Sequence, residues 1–234
     1  MLTIILPVYN EKKNIIKCLK SIFNQSFKKW KLIIVDDASS DGTYLVIKNF
    51  LINVNKKKYK LLRNKKNLGI TKSLNKALKL VDTEFIGRAD ADDIYNKNRF
   101  KLQIEFLKKN KNIDVLGTNA FIIDKNDKIL SKKKMPTRFD KLKKSLAFRN
   151  IFFHSSVVFR KSFICRNGLY NDKYINAQDY ELWLRGIGDN NFANLNKFLV
   201  FYRSELNKIS FSKIRCAFLI RIKYINYNKA YLTN

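Results

Sequence analysis

The chain has 234 residues and a mass of 27.6 kDa, which suits one domain or one domain with a small appendage. Apolar residues make up 46% and aromatic residues 13%, enough to exclude a disordered chain despite a net charge of +29. Three scattered cysteines (Cys18, Cys165, Cys216), one histidine and no Cys-x-x-Cys exclude a disulfide scaffold and a His-rich zinc site, and point to a reduced, cytosolic protein. The charge arises from 37 Lys against 11 Arg, beside 27 Asn, a bias that A/T-rich coding would produce. A solvated Lys-rich surface, attraction to a membrane surface and nucleic-acid binding are all compatible with it. No basic segment precedes the first apolar run, and no stretch approaches the ~20 apolar residues of a membrane-spanning helix, so the chain reads as starting directly with folded structure.

Thr3–Leu6 is a short apolar run closed by Pro7 and reads as a buried strand. Residues 12–24 place Ile15, Leu19, Ile22 and Phe23 on one helical face. Lys31–Val35 gives a second strand ending at Asp36 and Asp37, after which Asp41 or Thr43 can cap a helix bearing Leu45, Val46 and Phe50. Tyr59–Leu62 is a third strand. Beyond Asn67-Leu68-Gly69 a helix runs from about Thr71, with Leu74, Ala77, Leu78 and Val81 inward. Glu84–Gly87 is a fourth strand, stopped by Arg88-Ala89-Asp90-Ala91-Asp92-Asp93. Strand and helix alternating at this spacing predict an α/β fold with a mostly parallel sheet flanked by helices.

The second half is less regular. It reads as a helix over 99–109, a strand Val115–Ile123 turned at Lys125-Asn126-Asp127 into a short return at 128–131, and a loop over Lys132–Lys134. A helix over 139–148, a strand Ser156–Phe159, a helix over 178–187 and a last strand Phe198–Tyr202 follow. From Ser210 to about Tyr227, Phe211, Ile214, Phe218 and Ile225 alternate with Lys213, Arg215, Arg221 and Lys223. That pattern suits either a basic membrane-surface helix or one packed on the sheet. No repeat or low-complexity block interrupts the chain, so no firm domain boundary is seen; the expected organisation is a main domain over 1–209 and a terminal amphipathic helix over 210–234.

The acids are placed unevenly. In an open parallel sheet, ligands bind beyond the carboxyl ends of the strands, where strand order reverses. Asp36 and Asp37 follow the second strand and Asp90, Asp92 and Asp93 the fourth, so five of the 19 acidic residues fall on one predicted rim. Asp-rich turns can simply cap helices, but so many carboxylates together repel unless a cation or a hydrogen-bonding ligand lies among them. Asp-x-Asp at a strand end offers hard oxygens to Mg²⁺ or Mn²⁺ with positions left for substrate phosphates.

These residues carry a resemblance. Pro7-Val8-Tyr9-Asn10, Val35-Asp36-Asp37-Ala38-Ser39-Ser40-Asp41-Gly42-Thr43, Asn67-Leu68-Gly69, Asp90-Ala91-Asp92-Asp93 and Gln178-Asp179-Tyr180-Glu181-Leu182-Trp183-Leu184-Arg185 resemble, in order, the signature segments of family 2 glycosyltransferases, over residues 1 to about 203. The resemblance implies the GT-A fold, a nucleotide-sugar-binding half over 1–95, an acceptor-side half over 96–209, and inverting transfer from a nucleotide-sugar, typically a UDP-sugar, to a glycan or lipid-linked glycan. It implies that Pro7, Tyr9, Asn10 and Glu11 border the nucleoside, that Asp37 hydrogen-bonds the base, and that Asn67, Gly69, Arg88, Asp90 and Ala91 complete the nucleotide-sugar site. Asp92 matches the principal ligand of Mg²⁺ or Mn²⁺, and Asp179 the general base.

His154 resembles a residue near the diphosphate and is a candidate second metal ligand; the alternative is a satisfied structural histidine. Trp183 is either core or an acceptor platform, and Arg185 either anchors phosphate or pairs with an acid. The chain departs from the family pattern at Lys97, where Pro is common, and at Gln178, where Glu is usual. It also stops soon after the catalytic core, without the membrane helices or extra domains of larger relatives. Rival classes fit less well: a nucleotidyltransferase lacks its Gly-rich first loop, a dehydrogenase lacks Gly-x-Gly-x-x-Gly, and a nucleic-acid-binding protein leaves the rim carboxylates unexplained. The expected setting is cytoplasmic, peripheral on the inner face of the membrane through the 210–234 helix.

Overall fold

The computed structural model describes residues 1–204 less 138, 147, 176, 189 and 190, so the helix expected over 210–234 and Cys216 lie outside the described residues. β1 (Leu2–Val8) is buried at all seven positions, the continuous apolar pattern of a strand covered on both faces. β2 (Trp30–Asp36) and β4 (Phe85–Arg88) flank it in parallel, with Leu2 opposite Trp30 on one side and Phe85 on the other. β3 (Tyr59–Arg63) adds in parallel outside β2. The chain thus builds outward from β1 to β3 and then crosses back to place β4 on the far side, which leaves a crevice between the carboxyl ends of β1 and β4.

Connecting helices cover this half. α1 (Ile15–Phe23) buries Ile15, Cys18, Leu19 and Ile22; α2 (Thr43–Phe50) and α3 (Ile70–Leu78) follow β2 and β3. Alternate residues of β1 serve opposite faces: Leu2, Ile4 and Leu6 meet α1 and α2, while Ile5 joins Ile33, Val35 and α3.

The second half runs through β5 (Ile94–Tyr95), α4 (Arg99–Lys109), β6 (Ile113–Ile123), β7 (Ile129–Lys133), α5 (Phe139–Leu146), β8 (Val158–Arg160), α6 (Lys161–Asn167), α7 (Gln178–Gly186) and β9 (Asn191–Arg203). β8 inserts antiparallel between β4 and β6, β6 pairs in parallel with β9, and β5 closes the order β3-β2-β1-β4-β8-β6-β9-β5. No helix among the described residues is long and apolar enough to cross a membrane.

Several boundaries differ from the sequence reading. Pro7 lies inside β1 because pairing with β4 ends at Ile5–Arg88, so at Pro7 the strand has a neighbour on one side only. Lys132 and Lys133 belong to β7, whose every residue is exposed; an edge strand tolerates lysines that a loop would also carry. His154–Ser156 form a 3₁₀ turn, which delays β8 to Val158, and β9 starts at Asn191 rather than Phe198. β5 and α6 were not anticipated, being too short to impose a periodicity.

Trp183 is fully buried, with the rings of Phe152, Phe159, Phe163 and Phe192 at 5.4–6.3 Å, so of its two readings the structure selects core. Trp183→Ala is predicted to lower unfolding stability in urea by about 3–5 kcal/mol; a loss below about 1 kcal/mol would contradict this packing.

Candidate functional site

The crevice is a pocket of about 240 Å³ whose walls are the four loops after β1 to β4. Side chains of one loop hold backbone amides of the next. Asn10 has φ 52°, within the left-handed region that Asn tolerates; its N–H donates to Ser39 Oγ (3.0 Å) and its Oδ1 accepts from Ser40 N–H (2.9 Å). The N–H of Glu11 donates to Thr43 Oγ1 (2.9 Å) and that of Lys12 to Asp41 Oδ2 (3.0 Å), while Asp41 also accepts the Thr43 N–H (2.9 Å) at the start of α2. These bonds make residues 11–14 a tied turn, and α1 begins only at Ile15.

The pair after β2 divides its work. Asp36 is fully buried and accepts from Arg63 Nε (3.1 Å) and the Ser39 N–H. Asp37 faces the pocket and organises the third loop: Oδ1 accepts from Asn64 Nδ2 (2.7 Å) and Leu68 N–H (2.9 Å), and Oδ2 from Gly69 N–H (2.8 Å). Gly69, at φ 85°, lets the chain turn into α3 there.

Beyond β4 the carboxylates crowd. Tyr95 Oη accepts the Asp90 N–H (2.6 Å) and donates to the Asp90 carbonyl (3.0 Å), clamping the loop at one residue. The fully buried Arg88 guanidinium donates to the Asp90 carboxylate and the Ala89 carbonyl. Asp93 is buried behind the pocket, its Oδ1 accepting the Arg203 N–H (2.8 Å), and Arg203 Nε donates to the Asp92 carbonyl (2.9 Å). Asp92 and Glu11 face the pocket. Burial first, then the charges of Asp90 and Glu11, push Asp92 up to about 7, and burial likewise raises Glu11. Asp92 and Glu11 offer oxygens that could hold a cation, although among the described residues no three His, Cys, Asp or Glu side chains form a metal-holding group.

In the second half, Asp179 opens α7 and accepts a 2.6 Å hydrogen bond from Asn150 Nδ2. Burial raises its proton affinity, while backbone and Asn150 hydrogen bonds and the Arg88 charge restrain it. The nearby titratable groups are committed elsewhere. Glu181 is buried and holds Arg185 through both carboxylate oxygens (2.9 Å each), so Arg185 pairs with an acid. His154 Nε2 lies 2.8 Å from Tyr170 Oη, and burial, then Arg88, hold its imidazole well below its ordinary range, hence neutral. Tyr202, on β9, is raised by burial and then by Asp90, Asp93, Asp92 and Asp179, which lie around it.

The pocket therefore brings together Pro7, Tyr9 and Glu11; Asp37; Asn67 and Gly69; and Asp90, Ala91 and Asp92. Asn10 supports the wall, Arg88 lies behind Asp90, and His154 and Asp179 stand outside the lining. Sequence reasoning missed Val8, Ile70 and Ser73 in the lining, and the supports Tyr95, Asn150 and Arg203. Ile70 and Ser73 fall on the helix face already read as inward; Tyr95, Asn150 and Arg203 have no local signal.

Asp37→Ala removes the acceptor for two loop amides and is predicted to cost about 1–3 kcal/mol in urea unfolding; an unchanged midpoint would contradict the bracing role. For Asp92, a folded-state proton affinity above the ordinary carboxylate value means that stability falls as pH rises from about 4 to about 7. Asp92→Asn lacks that loss, so in metal-free buffer at pH 8 it should exceed the parent by on the order of 1–2 kcal/mol, converging below about pH 4. A variant no more stable than the parent at pH 8 would contradict the crowding.

Residues 3–172 match Glycosyl transferase family 2. An uncharacterised glycosyltransferase of Methanocaldococcus jannaschii is 29% identical over 97% of this chain and 80% of its own length. Two Escherichia coli relatives are a UDP-Glc:α-D-GlcNAc-diphosphoundecaprenol β-1,3-glucosyltransferase, WfgD (29% identical, 91% of this chain, 79% of its own), and a UDP-Gal:α-D-GlcNAc-diphosphoundecaprenol β-1,3-galactosyltransferase (30%, 90% and 79%). Among solved structures, S. aureus TarS 1–349 in complex with UDP-GlcNAc superposes with a TM-score of 0.76 at 21% identity, covering 96% of this chain and 66% of that one. The mannosyltransferase PcManGT from Pyrobaculum calidifontis, in complex with GDP-Man and Mn²⁺, gives 0.67 at 19% identity, covering 98% and 63%. The fold is GT-A, and the chain belongs to glycosyltransferase family 2.

Proposed function

We propose that this glycosyltransferase moves a sugar, with inversion, from a UDP-sugar to a hydroxyl of a glycan or lipid-linked glycan during synthesis of a surface polysaccharide or lipooligosaccharide. The observation that carries the reading is the set of pocket-facing carboxylates at the crevice between β1 and β4. The names of the E. coli relatives, which use UDP-Glc and UDP-Gal on diphosphoundecaprenol-linked GlcNAc, support the sugar-donor and acceptor classes.

In this reading Pro7, Tyr9, Asn10 and Glu11 border the nucleoside, Asp37 with Asn67 and Gly69 forms the base end, and Arg88, Asp90 and Ala91 carry the ribose and phosphate end. Asp92 would hold Mg²⁺ or Mn²⁺, with Asp90 near it. The residues fit such an ion because Asp92 and Glu11 supply hard oxygens to the pocket, and a cation would relieve their mutual repulsion. His154 is the candidate second ligand; its Nε2 is engaged by Tyr170 Oη at 2.8 Å, so it would bind the ion through its other ring nitrogen. A bound divalent ion would neutralise charge on the departing diphosphate.

Asp179 is assigned as the general base. As the acceptor oxygen bonds to the anomeric carbon, its proton passes to Asp179 and the bond from that carbon to the diphosphate oxygen breaks, releasing the nucleoside diphosphate. Its raised proton affinity suits the role, while Glu181 and His154 are bound to Arg185 and Tyr170. We further propose that residues 210–234, outside the described residues, lie on an anionic membrane surface from the cytoplasmic side. Deleting them from the folded protein should abolish flotation with anionic vesicles, and persistent flotation would overturn that assignment.

Asp179→Asn should leave calorimetric affinity for UDP unchanged and cut transfer from a UDP-sugar roughly a hundredfold or more; near-parent transfer would remove Asp179 from the role. Asp92→Asn, or excess chelator, should reduce transfer by orders of magnitude with the fold intact, whereas full activity in chelator would exclude the metal.

A further inference from the structure

Asn150 precedes a buried segment whose surroundings fix it. Ile151 and Phe152 are buried, Asn194 of β9 donates to the Ile151 carbonyl (3.0 Å), and the Phe152 ring packs at 5.4 Å on Trp183 of α7, the helix that carries Asp179. The Asn150 side chain bridges this segment to the helix. Its Oδ1 accepts the Phe152 N–H at 3.1 Å, and its Nδ2 donates to Asp179 Oδ2 at 2.6 Å. An amide has one acceptor end and one donor end. Because the Phe152 N–H can only donate, it fixes which end points where, and the NH₂ must face the carboxylate.

We propose that Asn150 is the positioning residue for Asp179, fixing one oxygen and the plane of its carboxylate through a hydrogen bond whose direction the Phe152 amide sets. The inference rests on Asp179 being the general base and assigns Asn150 no contact with substrate. A carboxylate that accepts a strong hydrogen bond keeps its ionised form against burial. Other groups bear on the same carboxylate: the backbone N–H groups of Tyr180 and of Asp179 itself, which hydrogen-bond it, Arg88 from β4, which favours its charge, and the Tyr170 and Tyr202 hydroxyls, from the segment after α6 and from β9, which sense it. On α7 itself, Glu181 and Arg185 are paired with each other. Asn150 is the one among these whose contact is a direct, neutral side-chain donation.

The test is a carbon-13 NMR titration of aspartate carboxyl carbons, with the Asp179 signal assigned by its loss in Asp179→Asn. Asn150→Ala should move the Asp179 midpoint up by about one pH unit, and Asn150→Asp, which adds a like charge, further. Asn150→Ser, which keeps a hydroxyl donor, should lie between parent and alanine and guards against a fold defect in the larger changes. Hydrolysis of UDP-glucose, with water in the acceptor's place, should show its acidic limb shifted in the same order, with UDP affinity unchanged. An Asp179 midpoint that stays at the parent value in folded Asn150→Ala, or in folded Asn150→Ser should the alanine variant fail to fold, would overturn the proposal. Hydrolysis retained in Asp179→Asn would instead overturn the base assignment beneath it.

Discussion

Like charges held close together at one end of the sheet are the constraint around which the site is arranged. Asp90, Asp92 and Asp93 follow β4 and meet Glu11 from the loop after β1, and burial strips water from the carboxylates of Asp92, Asp93 and Glu11. Such a group would disperse without opposing contacts. The fold supplies them unequally: Asp93 turns inward to the Arg203 amide, Asp90 is held by Arg88 and Tyr95, and Asp92 and Glu11 remain toward the pocket with elevated proton affinity. The unbalanced repulsion is thus concentrated where a ligand can reach it, a stability sacrifice typical of functional sites.

Topology makes this placement possible. The crossover from β3 to β4 opens the crevice, and the amide ties between neighbouring loops keep its walls from collapsing. The second half then contributes from beneath and from the side. β8, inserted antiparallel beside β4, lets β6 and β9 extend the sheet, and β9 returns Tyr202 and Arg203 to the carboxylates. α7, anchored by Trp183, sets Asp179 beside this group without placing it in the pocket lining.

The first half was legible because its signals are local. Buried strands read as apolar runs, helices as 3.6-residue periods, and strand-end acids as Asp clusters, so the shared rim of Asp37 and Asp90–Asp92 followed from the rule of carboxyl ends alone. The second half was less legible because its determinants are non-local. That Lys132 and Lys133 lie on an edge strand depends on β6 beside them, and Pro7 is admitted to β1 because β4 stops short. Tyr95, Arg203 and Asn150 look like ordinary residues in the sequence; only the folded chain brings the first two to Asp90, Asp92 and Asp93, and the third to Asp179.

On the proposed function, a metal-bound nucleotide displaces the proton that burial and the neighbouring Asp90 and Glu11 charges hold on Asp92. Calorimetric titration of UDP with Mn²⁺ at pH 7, repeated in buffers of different ionisation enthalpy, counts that proton. With Asp92 near pH 7 in its affinity, the parent should release about half a proton more than Asp92→Asn, measured at concentrations that saturate both. Equal release from the two proteins would contradict the account.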